Sequence, residues 1–164
     1  MTPRYPDTTG SGRRIAVYAG SFDPFTRGHL SIVERVAPLF DTLIIAVGYN
    51  AAKAPSPDEL GHRVGAIESA LRKLSDGLSE RCRVGLYSGR LTVDFAREAG
   101  ARWLVRGARS GVEFDAEMRL ADVNRAISGI ETVIIPALPE LASCSSSVVR
   151  ELRSYGHDAS MFLP

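Results

Sequence analysis

Residues 18–29 place a hydroxyl, a carboxylate, an arginine and a histidine around two glycines, in the order Tyr-Ala-Gly-Ser-Phe-Asp-Pro-Phe-Thr-Arg-Gly-His. The apolar run before them predicts a buried strand, and residues 30–36 predict a helix. A glycine-containing turn between a strand and a helix suits an anion, because backbone N–H groups and the positive end of the helix dipole meet there. Gly28 allows close approach of the backbone, and His29 can donate a hydrogen bond to a phosphate oxygen. The segment therefore predicts a nucleotide-phosphate site.

Other groups that suit phosphate chemistry follow later predicted strands. Lys53 follows the second, Arg106 and Arg109 flank a glycine after the fourth, and serines 145–147 follow the fifth. A guanidinium offers forked donors to a phosphate, and a serine run at a helix start can present hydroxyls and N–H groups to a triphosphate. Each feature also has an ordinary explanation, namely a solvated lysine, a charged loop or a helix N-cap.

The elements that position these groups alternate along the chain. Apolar runs predict five strands, at residues 15–18, 43–47, 83–87, 103–105 and 132–136. Helices are predicted at 30–40, 57–74, 91–99 and 114–127 and after the serine run, with Phe114 and Met118 near one stripe of the fourth. Nearly continuous apolar runs are typical of parallel strands covered on both faces. The sequence predicts an α/β fold with a Rossmann-like, doubly wound, five-stranded parallel sheet, in which one cleft beyond the strand ends collects the motifs.

Composition is that of an ordinary soluble protein, with 164 residues, 45% of them hydrophobic and 24% charged. We expect a disordered arm at residues 1–13 and a single domain at 14–164. The net charge of +1 gives no argument for nucleic acid or a membrane as partner. There is no apolar segment typical of a secretory signal, so we expect a cytoplasmic protein with reduced Cys82 and Cys144. No Walker A or Gly-x-Ser-x-Gly motif is present, which argues against a P-loop NTPase and a serine hydrolase.

The order of the motifs resembles that of bacterial phosphopantetheine adenylyltransferases, a family of the nucleotidyltransferase superfamily. The matching blocks are Gly-Ser-Phe-Asp-Pro-x-Thr-x-Gly-His, Asn-x-x-Lys, Val-Arg-Gly-x-Arg, Glu-Phe-x-x-Glu-Met, Asn-Arg and Ser-Ser-Ser, within residues 14–164. The resemblance implies transfer of AMP from ATP to 4′-phosphopantetheine, giving dephospho-coenzyme A and pyrophosphate. It also implies use of Mg²⁺ with ATP as co-substrate, a cytoplasmic location and a hexamer.

The resemblance also implies roles for individual positions, with no metal ligand among them. His29 would be the catalytic residue that stabilises the transition state. The implied ATP-binding residues are Ser21, Phe22, His29, Gly107, Ala108, Arg109, Glu117, Leu141, Ser145, Ser146 and Ser147. The implied acceptor-binding residues are Ser21, Lys53, Thr92, Arg106 and Asn124.

Several positions depart from the family pattern. Ala116, Leu141 and Ser143 stand where larger rings are common, so we expect a looser adenine pocket. Thr92 stands where a substrate-contacting apolar residue is usual, which leaves room for another acceptor. Trp103 is expected in the core rather than as a replacement ring. Two alternatives follow: a nucleotidyltransferase for another phosphorylated acceptor, such as nicotinamide mononucleotide or a phosphoalcohol, and a nucleotide-binding paralogue without turnover.

Overall fold

One parallel sheet organises the chain in the computed structural model, which describes residues 12–75 and 77–164. Its strands are β1 (Ile15–Gly20), β2 (Thr42–Tyr49), β3 (Cys82–Ser88), β4 (Trp103–Ala108) and β5 (Glu131–Pro136). They lie in the order β3-β2-β1-β4-β5, and every neighbouring pair is parallel. The predicted doubly wound five-stranded sheet is confirmed. Most of the predicted N-terminal arm lies outside the described residues, so its disorder stays a prediction.

Six α-helices accompany the sheet in the described part of the chain. They are α1 (Arg27–Val36), α2 (Pro57–Arg72), α3 (Leu78–Arg81), α4 (Thr92–Glu98), α5 (Gly111–Ser128) and α6 (Ser146–Ser154). Short 3-10 turns cover Ala37–Leu39, Ala51–Lys53, Pro139–Leu141 and Ser160–Phe162. None of these helices is long and apolar enough to cross a lipid bilayer.

Two apolar layers form because successive side chains of a strand point to opposite faces of the sheet. Tyr18 of β1 packs with α1 and α2 on one face, where the core also holds Ile45 and Val105. Val17 packs on the other face with α4 and Leu104. Trp103 contacts Phe40 at a ring-centroid distance of 5.6 Å, as expected for a core residue.

The strands extend beyond the apolar runs that predict them. In β4 the extension matters most, since Arg106, Gly107 and Ala108 belong to the strand rather than to a loop after it. Pairing of β4 with β5 continues to Ala108. The strand therefore includes Arg106, a charged residue that the apolar pattern did not assign to it. A Cβ atom at Gly107 would lie 2.3 Å from Cδ1 of Ile32, so glycine lets α1 approach β4 closely.

Helix boundaries differ from the expected ones where capping side chains act. Helix α1 begins at Arg27, after the N-cap Thr26, and α5 begins at Gly111, after the N-cap Ser110. On α5, Phe114 and Met118 are 42% and 47% exposed, because β4 and β5 cover only part of that helix. Cys82 and Cys144 are free thiols, and burial raises the pKa of Cys82 to about 11.

Candidate active site

A cleft of about 430 Å³ opens at the carboxyl ends of β1 and β4 and is closed on one side by the start of α6. Every position with an implied role in ATP binding lines it: Ser21, Phe22, His29, Gly107, Ala108, Arg109, Glu117, Leu141, Ser145, Ser146 and Ser147. Arg106 and Ala116 line it as well. The structure therefore brings together the first motif, the Arg-Gly-x-Arg block and the serine run, while their individual binding roles stay predictions.

Thr26 and His29 form a reciprocal cap at the start of α1. The Thr26 hydroxyl accepts from the His29 backbone N–H at 3.4 Å, and the Thr26 N–H donates to His29 Nδ1 at 3.0 Å. Histidine here takes the place that Glu or Gln holds in the usual capping box. Because Nδ1 accepts a hydrogen bond, the neutral ring carries its proton on Nε2. Sequence analysis did not assign this capping role to Thr26. The available signal was the three-residue spacing between Thr26 and His29, whose ring nitrogen can accept a hydrogen bond.

The imidazole of His29 lies in an aromatic enclosure. The Phe22 ring meets it edge-on at 5.1 Å between centroids, and the Phe25 ring stacks on it at 5.5 Å. Burial, and secondarily the positive charge of Arg109, lower the pKa of His29 to about 4. At neutral pH the ring is therefore an uncharged Nε2–H donor at the edge of the cleft. Beside it, burial raises the pKa of Tyr18, which stays a neutral phenol.

The turn between β1 and α1 contains one residue in an uncommon backbone conformation. Phe22 has a φ of +46°, in the left-handed region, and is 2% exposed. For a bulky residue this conformation costs on the order of 1–3 kcal/mol and persists only where surrounding contacts hold it. Arg63 of α2 and Arg150 of α6 both reach this turn. Sequence analysis missed both arginines, since such contacts join residues far apart in the chain.

The arginines of the Arg-Gly-x-Arg block are already paired with acids. Arg106 donates to both carboxylate oxygens of Glu117, at 2.8 and 2.7 Å, and to the Ala19 carbonyl at 2.9 Å. The hydrogen bonds to Glu117 raise the pKa of Arg106. Arg109 binds Glu113 in the same forked manner. Burial raises the pKa of Glu113, but the hydrogen bonds from Arg109 outweigh it, and the net shift is downward.

The serine run links α6 to the first motif. Ser145 is the N-cap of α6 and accepts from the Val148 N–H at 3.2 Å. The Ser146 hydroxyl donates to the Pro24 carbonyl at 2.8 Å, and Ser147 accepts from Arg150 at 3.2 Å. The ordinary N-cap explanation therefore accounts for Ser145, Ser146 fastens the helix to the turn beside the cleft, and Ser147 binds Arg150 of the same helix.

Three residues with implied acceptor roles do not line this cleft, contrary to the expectation that one cleft collects every motif. Lys53 is exposed in the 3-10 turn after β2. The Thr92 hydroxyl lies 2.8 Å from that of Tyr87 at the start of α4, and Asn124 is buried in the second half of α5. Lys53 follows β2, which β1 separates from β4 in the sheet. Thr92 begins α4, which packs on the face of the sheet opposite to α1. Ser143 is exposed and also lies outside the cleft.

Comparison with known proteins shows that the Cytidylyltransferase-like family model matches residues 17–152. A phosphopantetheine adenylyltransferase of Porphyromonas gingivalis is 46% identical over 154 residues, covering 93% of this chain and 95% of that protein. One from Beijerinckia indica is 41% identical over 92% of this chain and 89% of its own length. Among solved structures, a Plasmodium falciparum nicotinic acid mononucleotide adenylyltransferase complexed with NaAD has a TM-score of 0.65 at 14% identity, covering 93% and 91% of the two chains. At that identity the likeness concerns the fold.

Proposed function

Since the chain belongs to the cytidylyltransferase-like family, and within it to the phosphopantetheine adenylyltransferases, we propose that it transfers AMP from ATP to 4′-phosphopantetheine, giving dephospho-coenzyme A and pyrophosphate. The observation that carries this function is the 41–46% identity to relatives of that name over nearly the whole of both chains. The cleft fits the reaction, because it combines an N–H donor on His29 with the starts of two helices.

The reaction needs no nucleophile from the enzyme. A phosphate oxygen of the acceptor attacks the α-phosphorus of ATP, the new O–P bond forms, and the bond from that phosphorus to the bridging oxygen breaks as pyrophosphate leaves in line. The acceptor monoester is already ionised near neutral pH, so no strong base is required. His29 stabilises the charge that develops on the α-phosphate through its Nε2–H. The neutral state of the imidazole suits a donor that keeps its proton.

Mg²⁺ is proposed to accompany ATP as part of the substrate and would be held mainly by its phosphate oxygens. It prefers phosphate oxygens and water to an all-protein cage, and a triphosphate supplies those oxygens. Among the residues that the structure describes, no group of three or more His, Cys, Asp or Glu side chains could hold a metal ion. This donor set fits a cation carried by its substrate, which would offset the negative charge of the two phosphorylated ligands.

Lys53 and Arg106 bind the acceptor phosphate, while Thr92 and Asn124 contact the rest of the acceptor. Arg106 is the one member of this group that lines the cleft, and Glu117 fixes its guanidinium plane. With these two roles, the acceptor would extend toward α4 and α5, which carry Thr92 and Asn124. Cytoplasmic location is proposed with the function, because these substrates are intracellular metabolites.

Self-association, with a hexamer as the expected assembly, is supported by the outer side of α5. Val112, Val123 and Ile127 are 83%, 55% and 54% exposed there, and a second copy of the chain could cover these apolar side chains. Light scattering at micromolar concentration tests this, with Val123→Glu expected to shift the protein toward smaller species. A wild-type mass near 17.7 kDa at all concentrations would contradict the assembly.

Pyrophosphate release with ATP and a panel of acceptors tests the proposed function. We expect 4′-phosphopantetheine to be used, and nicotinamide mononucleotide, nicotinic acid mononucleotide and phosphocholine to be used poorly. Faster release with a mononucleotide would favour the alternative acceptor class. ATP binding without release on any acceptor would favour the non-catalytic alternative.

A further inference from the structure

Arg63 extends from the second turn of α2 to the turn between β1 and α1. One terminal nitrogen of its guanidinium lies 3.1 Å from Oδ2 of Asp23, and the other donates to the Ser21 carbonyl at 3.4 Å. The Arg63 side chain is only 17% exposed, so the helix and the turn enclose it. Arg63 does not line the cleft, and the phosphate motifs do not include it.

The two groups that Arg63 binds lie on either side of Phe22. Ser21 precedes this residue and Asp23 follows it, so one guanidinium spans the residue with a φ of +46°. Arg150 of α6 donates a further hydrogen bond to the Asp23 carbonyl. Because both neighbours of Phe22 are held by these contacts, they restrain its unfavourable backbone conformation directly.

The position of Phe22 determines the surroundings of the imidazole. Its ring packs edge-on against His29 at 5.1 Å and against Phe25 at 5.5 Å between centroids. A change in the Phe22 backbone would therefore move one wall of the imidazole enclosure. It would also move Ser21, which lines the cleft on the same turn.

We propose that Arg63 is a positioning residue for the transfer, acting through the turn at Ser21, Phe22 and Asp23 on the imidazole of His29. This inference rests on the proposed function, because it assigns Arg63 to the reaction of that cleft. A forked guanidinium is required, because a lysine ammonium is a single point charge that does not span both acceptors in one plane.

The test compares Arg63→Ala, Arg63→Lys and Asp23→Asn with Arg72→Ala, an exposed arginine on the same helix, as the matched control. We expect kcat to fall about 10- to 100-fold in Arg63→Ala with KM for ATP changed less than threefold, because misplacement of a positioned group by about 1 Å costs up to about 10²-fold. Arg63→Lys should be intermediate, and Arg72→Ala should match the wild type. Combining Arg63→Ala with Asp23→Asn should cost little more than Arg63→Ala alone.

An NMR titration of His29 supplies a readout that needs no substrate. In Arg63→Ala the pKa of His29 should rise from about 4 toward its ordinary value of 6.5, since a loosened enclosure admits water. Unchanged kcat together with an unchanged imidazole titration would overturn the inference. A raised KM for ATP at constant kcat would also overturn it, by showing direct contact with the nucleotide. If Arg63→Ala fails to fold, kcat and the His29 titration of Asp23→Asn decide instead. If the wild type transfers no AMP, the proposed function fails, but the titration still tests whether Arg63 positions the imidazole.

Discussion

Acidification from pH 7 to pH 5 should destabilise the protein through His29 by about 2 kcal/mol. The pKa of this imidazole is about 4 in the folded chain, against an ordinary value of 6.5. Between those values the unfolded chain binds a proton that the folded chain excludes, so stability rises with pH. The full effect is about 3 kcal/mol, because a pKa difference of one corresponds to about 1.4 kcal/mol. It is present above pH 7 and is lost as the pH falls to about 4.

The assay is equilibrium unfolding in urea at both pH values for the wild type and His29→Gln. Glutamine at this position can still accept from the Thr26 N–H, so the cap is kept while the titrating group is removed. Carboxylates with lowered pKa values, such as Asp41 and Glu59, titrate in both proteins and cancel in the comparison. The wild type should lose about 2 kcal/mol more than His29→Gln on acidification. Equal losses would refute the assignment of a neutral, desolvated imidazole.

Three further predictions concern the reaction. His29→Ala should lower kcat about 10²–10³-fold while ATP binding by calorimetry changes little, and near-normal turnover would remove its catalytic role. Lys53→Ala and Arg106→Ala should each weaken 4′-phosphopantetheine more than ATP in the same calorimeter, whereas equal losses for both ligands would contradict an acceptor role. Ala116→Tyr combined with Leu141→Trp should tighten ATP by about three- to tenfold for each added ring and sharpen the preference for ATP over CTP and GTP, because each ring contact contributes roughly 0.5–1.5 kcal/mol. Unchanged affinity would mean that the cleft is already filled in another way.

Local signals in the sequence predicted the sheet and the position of the cleft. The strands are continuous apolar runs, and the first motif lies where a strand meets a helix, so both follow from neighbouring residues. Pairings between distant residues gave no such signal. The spacing of Arg106 suggested a free phosphate ligand, but Glu117, eleven positions later, already holds its guanidinium. The reach of Arg63 to Asp23 depends on how α2 packs, which no local pattern reports.

The apolar stripe of α5, which includes Phe114 and Met118, shows a second limit of prediction from sequence. Helical spacing identifies which side chains share a face, as it does for Phe114 and Met118, but not how much of that face the sheet covers. Coverage depends on the width of the sheet beside the helix, and β5 is an edge strand. The exposed part of the stripe is therefore a tertiary property.

The acid partners of Arg106 and Arg109 limit how strongly a simple anion can bind in this cleft. The forked N–H groups of these arginines already bind Glu117 and Glu113, so a small anion such as free phosphate gains only the donors that the two carboxylates leave. A ligand with several phosphates and an aromatic base offers further contacts that no carboxylate of the chain supplies. Glu113 and Glu117 therefore compete with simple anions for the guanidinium groups. We expect nucleotides to bind in the cleft even where the concentration of free phosphate is high.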